Sequence, residues 1–256
     1  MPEESAYPPL ILGLHKIRPG AWWDHTNVQP DRLTNILESL IDAGYCFVEL
    51  EMAAKQARPR QIAITIDDGY AHLSESLPPI CERFGLKPHL FIPAGFVGRP
   101  NSWDYTTLLH SEGHLSVGQI VSLSQIGVSI GSHGLSHRQL TQLSTCDLLT
   151  EVTESKRRLE EMTGKSVTVI SYPFGRTSRS VMEAAAGAGY SLGLGTSWPL
   201  AGQHSLALGR ILISGYDTPF SVRQKLGGWL APVERAKQRI ATFLSGGTAW
   251  FQKARG

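Results

Sequence analysis

One phrase recurs along this chain and limits what it can fold into: an amphipathic helix, a glycine, then a short apolar strand. In "DRLTNILESLIDAGYCFVEL", Leu33, Ile36, Leu37, Leu40 and Ile41 stand at helical spacing, Gly44 follows, and Cys46 to Leu50 reads as a strand. The same punctuation falls at Gly85, Gly127, Gly164 and Gly189. A glycine just past a helix supplies the left-handed C-cap that other residues resist. Further strands read at Leu10 to Leu14, Ile62 to Ile66 and Ile211 to Ser214, with no long alternating pattern of an antiparallel sheet. Repeated units of this kind build a mostly parallel sheet, and a single α/β barrel of the TIM type, regular or irregular, is the simplest arrangement. The rival is an open doubly wound sheet, but no G-x-G-x-x-G follows the first strand and there is no phosphate-binding loop.

The 256 residues suffice for one large domain or two small ones, and 41% hydrophobic with 18% charged residues describes an ordinary globular chain. A net charge of +2 gives no case for a nucleic-acid partner. That figure hides an asymmetry: from Asp217 onward seven Lys or Arg face two Asp or Glu, so this tail is +5 and the rest −3. Residues 1–216 therefore read as the barrel, and 217–256 as a basic helical extension packed on it or trailing it. Cys46, Cys81 and Cys146 are odd in number and widely spaced, and read as buried, reduced thiols. "MPEESAYPPL" has no charged-then-apolar leader, and no run approaches the roughly 18 apolar residues of a membrane span. The expectation is a chain without a transmembrane segment, either cytoplasmic or with a leader already removed. Its oligomeric state is not legible.

Ionisable residues gather where the strands end. His15 follows the first strand, Asp67 and Asp68 follow "IAITI", His133 and His137 follow "VSIG", and "YPFGR" follows "VTVIS". In an α/β barrel these ends form one rim, where active sites are built. Histidines four apart can aim at one point, as a divalent metal asks, although surface or loop-capping histidines share this spacing. The adjacent carboxylates suit a turn or helix cap, or a site. Two imidazoles and one carboxylate make a facial metal site with open positions, as in catalytic zinc and non-haem iron centres. The second carboxylate would then stand beside it as a base. Gly69 would let the backbone pass close by, with its N–H or that of Tyr70 near a developing oxyanion.

"TIDDGY", then "SHGLSH", then "SYPFG" together resemble the polysaccharide deacetylase family, also called the NodB-homology family. "LHKI", "PPICERFGLKPHLFIPAGFVG" and "NSWDYTTL" are similar in context, and the resemblance spans roughly residues 10 to 215. It implies an irregular (β/α) barrel in a single domain, and a metal-dependent hydrolase that removes N-acetyl groups from acetylated amino sugars in a polysaccharide or sugar-linked intermediate. It implies Asp67 as general base, Asp68, His133 and His137 as ligands of zinc, with cobalt or nickel as alternatives, and the "YPFG" segment as a groove wall.

The chain departs from the family's pattern in three places. Gly134 stands where Ser or Thr is usual, and the third motif lacks its base-orienting Arg, for which Arg176 is a candidate. No Leu-His follows Arg210, whereas "LGLHKI" fits a circularly permuted branch and makes His15 the acid that protonates the leaving amine. Tyr70, Trp103, Tyr172, Pro173, Phe174 and Arg176 are the substrate-binding candidates, with Tyr105 and Trp198 as further aromatic faces for sugar rings. Arg210 has two readings, sugar contact or a pair with Asp67. His72, His110, His114 and His204 read as surface residues. The partner is an acetylated carbohydrate. The rival functions are an O-acetyl esterase or other amidase on the same site, or a non-catalytic carbohydrate-binding relative.

Overall fold

In a computed structural model of the chain, the residues described are 7–20, 24–102, 112–196, 203–228, 231–234 and 236–237. Short runs of two to six residues pair with one another as parallel strands. β1 (Leu10–Leu14) leads into β2 (Lys16–Ile17), which pairs with β3 (Asn27–Val28) in a small separate sheet. Then come α1 (Pro30–Asp42), β4 (Cys46–Phe47), α2 (Leu50–Lys55), β5 (Gln61–Ile66), α3 (Leu73–Phe84) and β6 (His89–Ile92). α4 (Val117–Gln125), β7 (Ser129–Ser132), α5 (Thr145–Thr163), β8 (Val169–Ser171), α6 (Arg179–Gly187), β9 (Leu192–Leu194), β10 (Ile211–Leu212) and α7 (Pro219–Lys225) complete the order.

The main sheet runs β10-β1-β5-β6-β7-β8-β9, with β4 joining the lower half of β5. Between β9 and β10 the described residues show only an isolated bridge, Leu194 to Leu208, so the wall is a barrel with an open seam. This is the irregular α/β barrel expected from the sequence. All five glycine joints take positive φ, between 60° and 96°.

Side chains alternate along each strand between two apolar compartments. Ile11, Ala63, Phe91, Val169, Leu192 and Leu194 fill the barrel interior. Leu12, Leu14, Ile62, Ile64, Leu90 and Ile170 face the surrounding helices.

Three expectations are corrected. The segment after Gly44 is a strand only over Cys46–Phe47, because Leu50 and Ala53 of α2 close one end of the barrel interior. Ile41 is 47% exposed, since the buried stripe of α1 ends at Leu40. Only Cys81 is a buried thiol, pushed up to about 11 by that burial, whereas Cys46 and Cys146 are exposed. α7 lies beside α1, buries Val222, and is tied down by Lys225, whose Nζ is 2.7 Å from Asp217 Oδ2 and donates to Leu212 O. Residues 238–256 of the extension lie outside the described residues. No helix among the described residues is long and apolar enough to cross a membrane.

Candidate active site

The two-residue period of a strand explains how four strand ends converge. Ile11 and Gly13 continue to His15, Ala63 and Thr65 to Asp67, Gly131 to His133, and Val169 to Ser171, so each reaches the mouth of the barrel. By the same period Asp68 should point away from Asp67. A left-handed turn prevents this: Asp68 has φ 72° and Gly69 φ 58°, a conformation that Asp tolerates better than most residues. Both carboxylates therefore serve the same mouth.

Asp68 Oδ1 lies 3.4 Å from His133 Nε2 and 3.3 Å from His137 Nε2. One ligand atom from each of the three residues falls within 4.8 Å of the others. His133 Nδ1 is 2.7 Å from Ser171 O, and a carbonyl only accepts, so Nδ1 carries a proton and Nε2 is the nitrogen turned toward Asp68. Among the described residues, buried Asp68 Oδ1 has no hydrogen-bond partner, which calls for an explanation in a native structure. A divalent ion would supply one. Two imidazole nitrogens and a carboxylate oxygen are its common donors, and separations of this size suit ligands about 2.0–2.2 Å from a shared ion. Electrostatics point the same way. Burial works against charge on His133, but Asp67 and Asp68 outweigh it and raise its pKa, so the site favours a positive charge.

Asp67 is engaged differently. Arg210 Nη1 donates to its Oδ1 and Nη2 to its Oδ2, both at 2.8 Å, a bidentate pair. The guanidinium is itself fixed by Ser171 Oγ at 2.9 Å, Thr65 Oγ1 at 3.3 Å and Gly195 O at 3.2 Å. Gly13 borders it on the neighbouring strand: a Cβ there would clash with Leu212 Cδ2 at 2.8 Å and only touch the Arg210 side chain at 3.8 Å. Burial alone would raise the Asp67 pKa, yet Arg210, with His133 and His15, holds it down at about 2. His15 Nε2 stands 4.0 Å from Asp67 Oδ2, its side chain 26% exposed.

The remaining candidates divide. Phe174 and Arg176 are half-buried at the rim, and the Phe174 ring meets His137 edge-on at 5.1 Å between centroids. Pro173 is buried. Tyr172 is 0% exposed with its hydroxyl donating to Leu206 O, so it is core and not a sugar platform. Tyr70, 1% exposed, is likewise corrected: it is stacked between His72 and His114 with the Lys16 ammonium over its ring. Arg210 is 1% exposed and bound to Asp67, which removes it from the groove and puts it, in place of Arg176, beside that carboxylate. Its position at the start of the last strand was the available signal. His72 is half-buried and pairs with Glu112 at 2.8 Å, and His204 caps a short turn, whereas His114 is 4% exposed and so is not a surface residue. Trp103, Tyr105, His110 and Trp198 lie outside the described residues.

Residues 54–193 match the polysaccharide deacetylase family. The chain belongs to that family. Among its relatives is YxkH of Bacillus subtilis (strain 168), whose name assigns it to the polysaccharide deacetylases: 29% identity over 162 residues, 62% of this chain and 54% of that protein. A chitin deacetylase of Pestalotiopsis sp is 29% identical over 136 residues, 52% of this chain and 40% of that one. This member thus spans about half or less of these curated relatives. Among solved structures, the Streptococcus pyogenes deacetylase PplD, in complex with acetate, superposes with a TM-score of 0.73 at 24% identity, over 85% of this chain and 97% of that one. IcaB from Ammonifex degensii gives 0.72 at 19%, over 88% and 97%. At such identities the likeness concerns the fold, and it agrees with the single α/β barrel described above.

Proposed function

We propose that this deacetylase family member is a metal-dependent hydrolase that removes N-acetyl groups from acetylated amino sugars in a polysaccharide or sugar-linked intermediate. The observation that carries the proposal is the division of labour between adjacent carboxylates: Asp67 is locked to Arg210, while Asp68 faces two imidazole nitrogens. Asp68, His133 and His137 would hold a divalent ion, zinc in preference, with cobalt or nickel as substitutes. Bound there, the ion supplies Lewis acidity to the acetyl oxygen and the attacking water.

The remaining work falls to the chain's own side chains. Asp67 is ionised at neutral pH and takes the proton of the attacking water. A carboxylate held at about 2 is a weak base, so the Arg210 pair contributes orientation and lasting ionisation in place of basicity. His15, near Asp67, delivers a proton to the departing amine. Burial lowers the His15 pKa, with Asp68 and Asp67 opposing it, so the protonated ring gives up its proton more readily. Phe174 and Arg176 are the described side chains offered to the sugar.

The test is acetate release from N-acetylated chito-oligosaccharides, with metal content measured before and after chelation. Asp68→Ala is expected to lose metal and activity together. Asp67→Asn should keep its metal and lose at least ~10²-fold in kcat, and His15→Gln should behave alike. Turnover that survives chelation, or near wild-type activity of Asp67→Asn, would overturn the proposal. Acetate release confined to O-acetylated sugars would move the assignment to an esterase.

A further inference from the structure

We infer that Glu151 of α5 is the positioning residue that sets the loop carrying both metal-site histidines; the inference rests on the metal-site reading proposed above. Residues 133–137 are neither helix nor strand, so their backbone groups must be satisfied one by one. His133 N donates to Ile92 O, Gly134 O accepts from Ala94 N, and Leu135 O accepts from Gly95 N at 2.7 Å. Gly134 N donates to Ser132 Oγ at 3.1 Å. Leu135 N–H, Ser136 N–H and the Ser136 hydroxyl all converge on one carboxylate. Leu135 N donates to Glu151 Oε2 at 2.8 Å, Ser136 N to the same oxygen at 3.0 Å, and Ser136 Oγ to Glu151 Oε1.

Glu151 is 4% exposed, and among the described residues no Lys, Arg or His forms an ion pair with it. A buried carboxylate is unfavourable unless hydrogen bonds hold it, and here every partner belongs to the loop. A leucine would serve packing alone at lower cost. The same carboxylate accounts for the unusual glycine. A Cβ at Gly134, where φ is 75°, would sit 3.2 Å from Glu151 Oε2. The carboxylate occupies the space a Ser or Thr side chain would need, and it does the steadying that such a hydroxyl would do. The loop has reason to be held hard, because His137 itself sits at φ 57°, a conformation that non-glycine residues keep only when their surroundings over-determine it.

The experiment uses the full chain and three variants: Glu151→Gln, Glu151→Leu, and Leu159→Ala as a control that opens a cavity on the same helix away from the loop. Zinc affinity is read by competition with a chromogenic chelator, and amide exchange of Leu135 and Ser136 is read in the metal-free proteins. Glu151→Leu is expected to weaken zinc binding by about 10–100-fold, the range for groups that orient a ligand. Glu151→Gln should fall between it and wild type, because its one oxygen still accepts. The two amides should exchange at least ~10-fold faster in both Glu151 variants than in the control. Leu159→Ala should lower the melting temperature yet leave zinc affinity within about twofold. Unchanged affinity in the Glu151 variants, or an equal loss in the control, would overturn the inference. A wild-type chain that binds no zinc would instead sink the metal-site reading, and the exchange rates would still decide whether Glu151 holds the loop.

Discussion

Asp67 shows how one side chain can be asked to satisfy opposite demands. The base role proposed for it asks for a free carboxylate near neutral in pKa, yet this one is 3% exposed and bidentate to Arg210. Losing the guanidinium leaves a buried, uncompensated charge. Arg210→Met is therefore expected to lower unfolding free energy by about 3–5 kcal/mol in urea titrations, with Arg210→Lys recovering only part, since an ammonium cannot form the fork. His89 makes a second residue-scale prediction. Burial pushes its imidazole down to about 3, with the Ile130 backbone pulling the other way. In the unfolded chain the ring protonates near 6.5. Its folded pKa is depressed, so nothing is lost above about 6.5, and stability drains as pH falls from there toward 3, by about 1.4 kcal/mol per unit from this group. Chemical denaturation of His89→Gln across that range should show a shallower slope by that amount.

At the scale of elements, the turn at Asp68 and the loop 133–137 decide whether the site forms. Neither is a regular element, and each contains positive-φ residues: Asp68 and Gly69 in one, Gly134 and His137 in the other. Restoring the hydroxyl common in the family should not help here. Gly134→Ser forces a side chain into left-handed backbone and against Glu151, and is expected to lose about 1–2 kcal/mol, read as a lower melting temperature with no gain in zinc affinity. A more stable or tighter-binding variant would show that the glycine is incidental. The motif histidines were visible in the sequence, but the carboxylate holding them was not. Glu151 lies in the middle of a long helix among other charged residues, and only the crossing of α5 over the loop separates it from a solvated face.

For the whole molecule, the first strand is interior to the sheet, not at its edge, although it is first among the described strands. β1 pairs with β10 on one side and β5 on the other, and buries Ile11, Leu12 and Leu14 at 1% exposure or less. Burial of three such side chains is worth about 5–9 kcal/mol, comparable to the whole stability of a typical domain. A chain starting at Lys16 is thus expected to show no cooperative thermal transition in near-ultraviolet circular dichroism. The sequence by itself determined the repeated helix-glycine-strand units, the parallel sheet and the cluster of ionisable strand ends, because these depend on local periodicity and on glycine's tolerance of positive φ. Tertiary structure decided the rest. That Arg210 pairs inside the barrel with Asp67 depends on the register that sets β10 beside β1 and β1 beside β5. That Tyr70 and Tyr172 are core, and that Glu151 braces the histidine loop, depends on which distant elements pack over them. Side-chain type and spacing announce chemistry, but the partner that orients or buries a group comes from far along the chain, where no local pattern can report it.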